Sequence, residues 1–158
     1  LKNNSKTVEL IKKIQFKYFN KEIRKEYGVT KISNNLYDNY KFINYQKALN
    51  LHKNYDNSEL VNQFNNRLNS LNEQIQKFKF TPIFITQINY DGLSNSELFI
   101  INETLKKFCE RNEYEIIKLD EMIYDLELNS FYDTMHTTPK GNQIIANTIF
   151  PKLINILN

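Results

Sequence analysis

Apolar and polar positions change their rhythm about halfway along the chain. In the first half, apolar residues recur at helical intervals among polar ones. Val8, Ile11, Ile14, Tyr18 and Ile23 mark a helix over Lys6–Tyr27, with Gly28 as its stop. Residues 29–40 read as irregular, with Asn34-Asn35 and Asp38-Asn39 as turn formers, and a short helix fits Tyr45–His52. After Asp56-Asn57-Ser58, the residues Leu60, Val61, Phe64, Leu68, Leu71, Ile75 and Phe78 recur mainly at steps of three and four. They form one apolar stripe with Asn, Arg, Gln and Lys facing water. Too few clean heptads follow for a coiled coil, so the spacing predicts a core-facing helix.

From Pro82 the pattern changes. Pro82-Ile83-Phe84-Ile85-Thr86-Gln87-Ile88 is a short, β-branched, nearly continuous apolar run, which predicts a strand over 82–88 buried on both faces. Asn89-Tyr90-Asp91-Gly92 ends it. Ser94 with Glu97 three residues later reads as a capping box, and Leu98, Ile101, Leu105 and Phe108 give the following helix its apolar face up to Asn112. A second strand is predicted over 114–119. Strand, helix, strand in this order implies a parallel pair joined by a right-handed crossover. A loop holding Phe131-Tyr132-Asp133-Thr134-Met135-His136 follows. Thr137-Thr138-Pro139 then opens the last helix, with Thr as N-cap and Pro at its first position. Pro151 is expected to kink that helix or break it in two.

Composition narrows the functional classes. With 41% apolar and 25% charged residues the 158-residue chain is globular in character. A formal net charge of +3, with both signs interspersed, excludes a nucleic-acid module built on a strong basic field. One cysteine, Cys109, excludes an internal disulfide framework. No apolar run is long enough to suggest a membrane span. The first residue is Leu1, followed by a polar stretch, so the chain reads as processed or cut from a longer sequence. No signal peptide is read, which favours the cytoplasm. The sequence is silent on oligomeric state.

One constellation suggests chemistry. Asp133 precedes His136 by three residues, in a loop following a predicted parallel strand, at the sheet edge where open α/β sheets place their ligand crevices. On a tight turn the carboxylate can fold back onto the imidazole, fix its tautomer and leave the other ring nitrogen as a base. Gln87, at the end of the first strand, is a candidate for lining the crevice. His52 lies in a polar helix with no acid at an orienting spacing and reads as a surface residue. Two histidines far apart, with no cysteine pair, make a zinc site improbable. Cys109, beside Phe108, reads as a small core or boundary residue. The ten Tyr and eleven Phe read mainly as core, with stacking platforms as the sharper alternative.

The segment Phe131-Tyr132-Asp133-Thr134-Met135-His136-Thr137-Thr138-Pro139-Lys140-Gly141-Asn142-Gln143-Ile144-Ile145-Ala146 resembles the closing block of the SGNH (GDSL-type) hydrolases. That block has Asp-x-x-His, a Leu/Thr-Thr/Ser pair, a Gly and an Ile-Ala in the closing helix. Pro82-Ile83-Phe84-Ile85-Thr86-Gln87 also resembles the penultimate strand of bacterial members. The resemblance covers roughly residues 60–158. It implies a flavodoxin-like three-layer α/β fold with a parallel sheet, here only its C-terminal part preceded by a helical region over residues 1–80. It further implies a serine hydrolase without a cofactor, cleaving a small ester or an acylated carbohydrate, with Asp133 and His136 as acid and base of a triad. The family's Gly-Asp-Ser nucleophile block and its Gly-x-Asn-Asp block are not found. Asp91-Gly92-Leu93-Ser94 has the order inverted, and Ser5 at a helix start is a poor nucleophile. The chain therefore reads as carrying the acid and base without the nucleophile or the oxyanion donors. The competing reading is a non-catalytic remnant or a helical interaction module.

Overall fold

A computed structural model describes residues 43–123, 126 and 130–157. The helix expected over Lys6–Tyr27, the irregular stretch up to Tyr40 and Ser5 lie outside the described residues. The elements are α1 (Tyr45–Leu51), α2 (Ser58–Phe78), β1 (Ile83–Ile85), α3 (Ser96–Asn112), β2 (Glu115–Ile117), α4 (Leu119–Met122) and α5 (Pro139–Leu157). A 3₁₀ turn at Gly92–Ser94 precedes α3. The arrangement is helical with a small parallel sheet, hence α/β in the broad sense.

Strands β1 and β2 pair in parallel, with Ile83, Phe84 and Ile85 opposite Glu115, Ile116 and Ile117. The crossover inferred from the apolar pattern is therefore present. Both strands are shorter than their apolar runs, and β1 is only half-buried rather than enclosed on both faces. The reason is polar. Beyond Ile85 the chain keeps one ladder bond, from Thr86 N–H to Ile117 O, and then turns its polar groups toward side chains. Beyond Ile117, Leu119 enters α4 instead of extending β2.

Alternation sends Phe84 and Ile116 to the same face. There they pack with Phe64, Leu68, Leu105, Phe108, Cys109 and Tyr114, so α2 and α3 cover that side of the sheet. The Phe84 ring meets Phe108 edge-on at 5.8 Å and stacks on Tyr114 at 5.7 Å. Helix α2 starts at Asn57, whose side chain accepts the Leu60 N–H. Its apolar stripe buries Leu68 and Ile75 but leaves Leu71 and Phe78 exposed. A second cluster joins Ala48, Leu93 and Phe99.

Helix caps depart from the sequence reading in one place. The N-cap of α3 is Asn95, which accepts from Leu98 N–H, while Ser94 belongs to the 3₁₀ turn and donates to Asp91 O. Gly92, at φ 55°, lets that turn form and shifts the cap by one residue. Helices α2 and α3 both end on a left-handed residue that is not glycine, Lys79 and Glu113. Helix α5 begins as expected: the Thr138 hydroxyl accepts from Gly141 N–H behind Pro139. It then runs through Pro151 without breaking in two. Asn147, whose carbonyl loses its helical donor to Pro151, is exposed, so water can take the bond.

His52 is buried rather than on the surface. Its Nε2–H donates to Leu93 O at 2.9 Å, and its ring lies 4.8 Å from that of Phe99. Cys109 is fully buried, and burial pushes its thiol up to about 11, consistent with a core role.

Lys106, 9% exposed, donates to Glu103, Asp120 and Glu121 at 2.8, 2.9 and 2.8 Å. Burial opposes its charge, but these bonds outweigh that cost and hold its ammonium above the usual lysine range. Lys106→Ala should therefore destabilise the chain by about 3–5 kcal/mol, because Asp120 is left buried and uncompensated. Urea unfolding will measure this, and Asp120→Asn in the same background should recover part of the loss.

Candidate active site

Asp133 and His136 sit at the tip of a tight reversal of the chain. Phe131 and Thr137 form an antiparallel bridge. Across the reversal, Tyr132 N–H donates to His136 O at 2.7 Å and Thr138 N–H donates to Ser130 O at 2.8 Å. The reversal therefore hands the chain directly to the first turn of α5.

Asp133 builds the tip. Its Oδ1 accepts the N–H groups of Met135 and His136 at 2.8 and 2.7 Å, an Asx-type turn. Its Oδ2 accepts from His136 Nδ1–H at 2.8 Å. The carboxylate is thus triply bonded while its side chain is only 8% exposed, whereas that of His136 is 64% exposed. Burial alone would raise the Asp133 pKa. The two backbone donors and the imidazole outweigh it and hold the carboxyl below its ordinary value. With Nδ1 carrying the proton, Nε2 of the neutral ring is left as an acceptor directed away from the acid. This is the orientation a general base requires.

The glycine five residues after the histidine has a steric reason. A Cβ at Gly141 would lie 2.3 Å from the Ser130 carbonyl oxygen, so α5 can approach the base of the reversal only with glycine there. The loop leaving β1 also reaches the reversal: Tyr90 N–H donates to Thr134 O at 2.9 Å, and the Tyr90 ring meets Phe131 edge-on at 6.1 Å.

The three residues singled out in the sequence fare differently. Asp133 and His136 are brought together. Gln87 has an exposed side chain, and its peptide is bonded to Asn102 rather than to the dyad: Gln87 N–H donates to Asn102 Oδ1 at 3.0 Å, and Asn102 Nδ2–H donates to Gln87 O at 2.8 Å. Among the described residues, no serine hydroxyl is hydrogen-bonded to His136, and no group of three or more His, Cys, Asp or Glu could hold a metal ion.

Sequence reasoning missed the polar residues behind the strand ends. Thr86 Oγ1 donates to Asp120 Oδ1 at 2.6 Å, and Asp120 N–H donates back to Thr86 Oγ1 at 3.1 Å. The Gln87–Asn102 pairing was missed as well, and its available signal was Asn102, a polar residue four after Leu98 on the apolar face of α3. No helix among the described residues is long and apolar enough to cross a membrane.

Comparison of the chain with protein-family models, curated proteins and solved structures finds no match in any of the three.

Two outcomes test this geometry. Because the folded-state pKa of Asp133 lies below its unfolded value, its contribution to stability is complete above about pH 4 and is lost as pH falls through the folded value. Acid titration by circular dichroism should show Asp133→Asn losing part of the stability gap between pH 7 and pH 3. Separately, Gly141→Ala should cost about 1–3 kcal/mol in urea unfolding, as an overpacked contact against backbone.

Proposed function

We propose that Asp133 and His136 are the acid and base of a serine-type ester hydrolase. The observation that carries this reading is the pairing itself: a buried, triply bonded carboxylate fixes the imidazole through Nδ1 and turns Nε2 outward. In such chemistry Nε2 takes the proton of a serine hydroxyl as the oxygen attacks an ester carbonyl, and returns it to the leaving alcohol. A water then repeats the cycle on the acyl-enzyme. Asp133 stabilises the imidazolium between those steps and stays ionised throughout. The substrate is a small ester or an acylated carbohydrate, and Gln87, exposed two residues beyond β1, contacts it. The nucleophile and oxyanion donors are missing from the 158-residue chain, and the complete domain is of the flavodoxin-like three-layer kind. The parallel β1–β2 pair with its crossover helix supports that assignment.

The test is hydrolysis of short acyl esters by the 158-residue chain and by the full reading frame that contains it. The chain alone should show no turnover above buffer, since the dyad has nothing to activate. In the active form, His136→Ala should lower kcat by about 10⁴–10⁶-fold, and Asp133→Asn by about 10⁴-fold. Activity in the chain alone that disappears with Ser5→Ala would place the nucleophile within it. Absence of turnover in both forms leaves the non-catalytic reading standing.

A further inference from the structure

Asn102 lies inside helix α3 and is only 2% exposed, a costly place for a carboxamide unless all its polar atoms are used. Two of them are: Oδ1 accepts from Gln87 N–H and Nδ2 donates to Gln87 O. The side chain therefore does for Gln87 what a neighbouring strand would do, at the point where β1 has left its ladder with β2. Three residues on, Tyr90 donates its N–H to Thr134 O at the tip of the reversal and packs its ring on Phe131 at the base. Tyr90 is 2% exposed, so this contact is held in place by surrounding structure. Thr134 is the residue between the Asp133 carboxylate and the Met135 N–H it accepts.

We infer that Asn102 is a positioning residue for the Asp133–His136 pair, acting through Gln87 and Tyr90. The crossover helix sets the path of residues 86–90, residues 86–90 fix the height of the reversal through Thr134, and the reversal aims the imidazole. This deepens the acid–base reading and rests on it. It also gives Gln87 a backbone role that is independent of whatever its exposed side chain touches.

The test uses the 158-residue chain and needs no substrate. It contains only two histidines, His52 and His136, so long-range ¹H–¹⁵N correlation reads each ring without ambiguity. Native His136 should show the Nδ1–H tautomer when neutral. Asn102→Ala should reduce the Nδ1–H fraction of His136 and speed exchange of the Tyr90 amide about tenfold, the scale of one hydrogen bond's net contribution. Cys109→Ala, a small cavity on the same helix within the α2–α3 cluster, should leave both readouts unchanged. Asn102→Asp retains the acceptor for Gln87 N–H but removes the donor to Gln87 O, and should shift both readouts in the same direction. If Asn102→Ala does not fold, Asn102→Asp decides. A folded variant whose His136 tautomer and Tyr90 exchange match the native chain overturns the inference. Absence of ester hydrolysis in the full reading frame as well as in the 158-residue chain would overturn the hydrolase reading, whereas unchanged His136 and Tyr90 readouts overturn this one.

Discussion

The hydroxyl of Thr86 and the carboxylate of Asp120 meet just past the ends of two strands that are each only three residues long. Such strands have few ladder bonds, and an isolated pair of this size is marginal in water. Side chains close it instead. Asp120 accepts from the Thr86 hydroxyl on one oxygen and from the Lys106 ammonium on the other, so β1, β2 and α3 converge on a single buried carboxylate. Glu103 and Glu121 share the same ammonium, and the Tyr45 hydroxyl donates to Glu103. Burial and that bond push Tyr45 up to about 12, and Lys106 also lies 4.5 Å from its ring centroid. One helix thus presents apolar groups to the middle of the sheet and polar groups to its carboxyl end.

What could be read from the sequence was local. Helices α2 and α3, the crossover and the Asp133–His136 spacing are all announced by residues near one another in sequence, and among the described residues those features are present. The features that could not be read join distant positions: Thr86 with Asp120, Gln87 with Asn102, Tyr90 with Thr134. Hydrophobic period cannot announce such bonds, and it overran both strands for that reason. His52 misled in the opposite sense. It follows exposed Leu51 and precedes Lys53 and Asn54, and the approach of Leu93 and Phe99 makes its surroundings a core.

The two histidines use opposite ring nitrogens, Nε2 in His52 and Nδ1 in His136. His52 donates its Nε2–H to the Leu93 carbonyl and is closed away from water. His136 donates its Nδ1–H to the Asp133 carboxylate and keeps most of its side chain in solvent. The same side chain is a structural donor in one setting and an oriented acceptor in the other. The difference lies in the partner each ring meets: the Leu93 carbonyl, 41 residues away, for His52, and the Asp133 carboxylate, three residues away, for His136.

The left-handed residues that end α2 and α3 have a consequence at the level of codons. Lys79 and Glu113, at φ 55° and 56°, hold a conformation that favours glycine, asparagine or aspartate. Each lies ahead of a strand, so each turns the chain toward the sheet. In the genetic code, lysine is separated from asparagine, and glutamate from aspartate, by a single third-position transversion. Both turns therefore sit one silent-looking nucleotide step from a less strained cap, and their local stability is a quantity that genetic drift can raise without altering the reach of either helix.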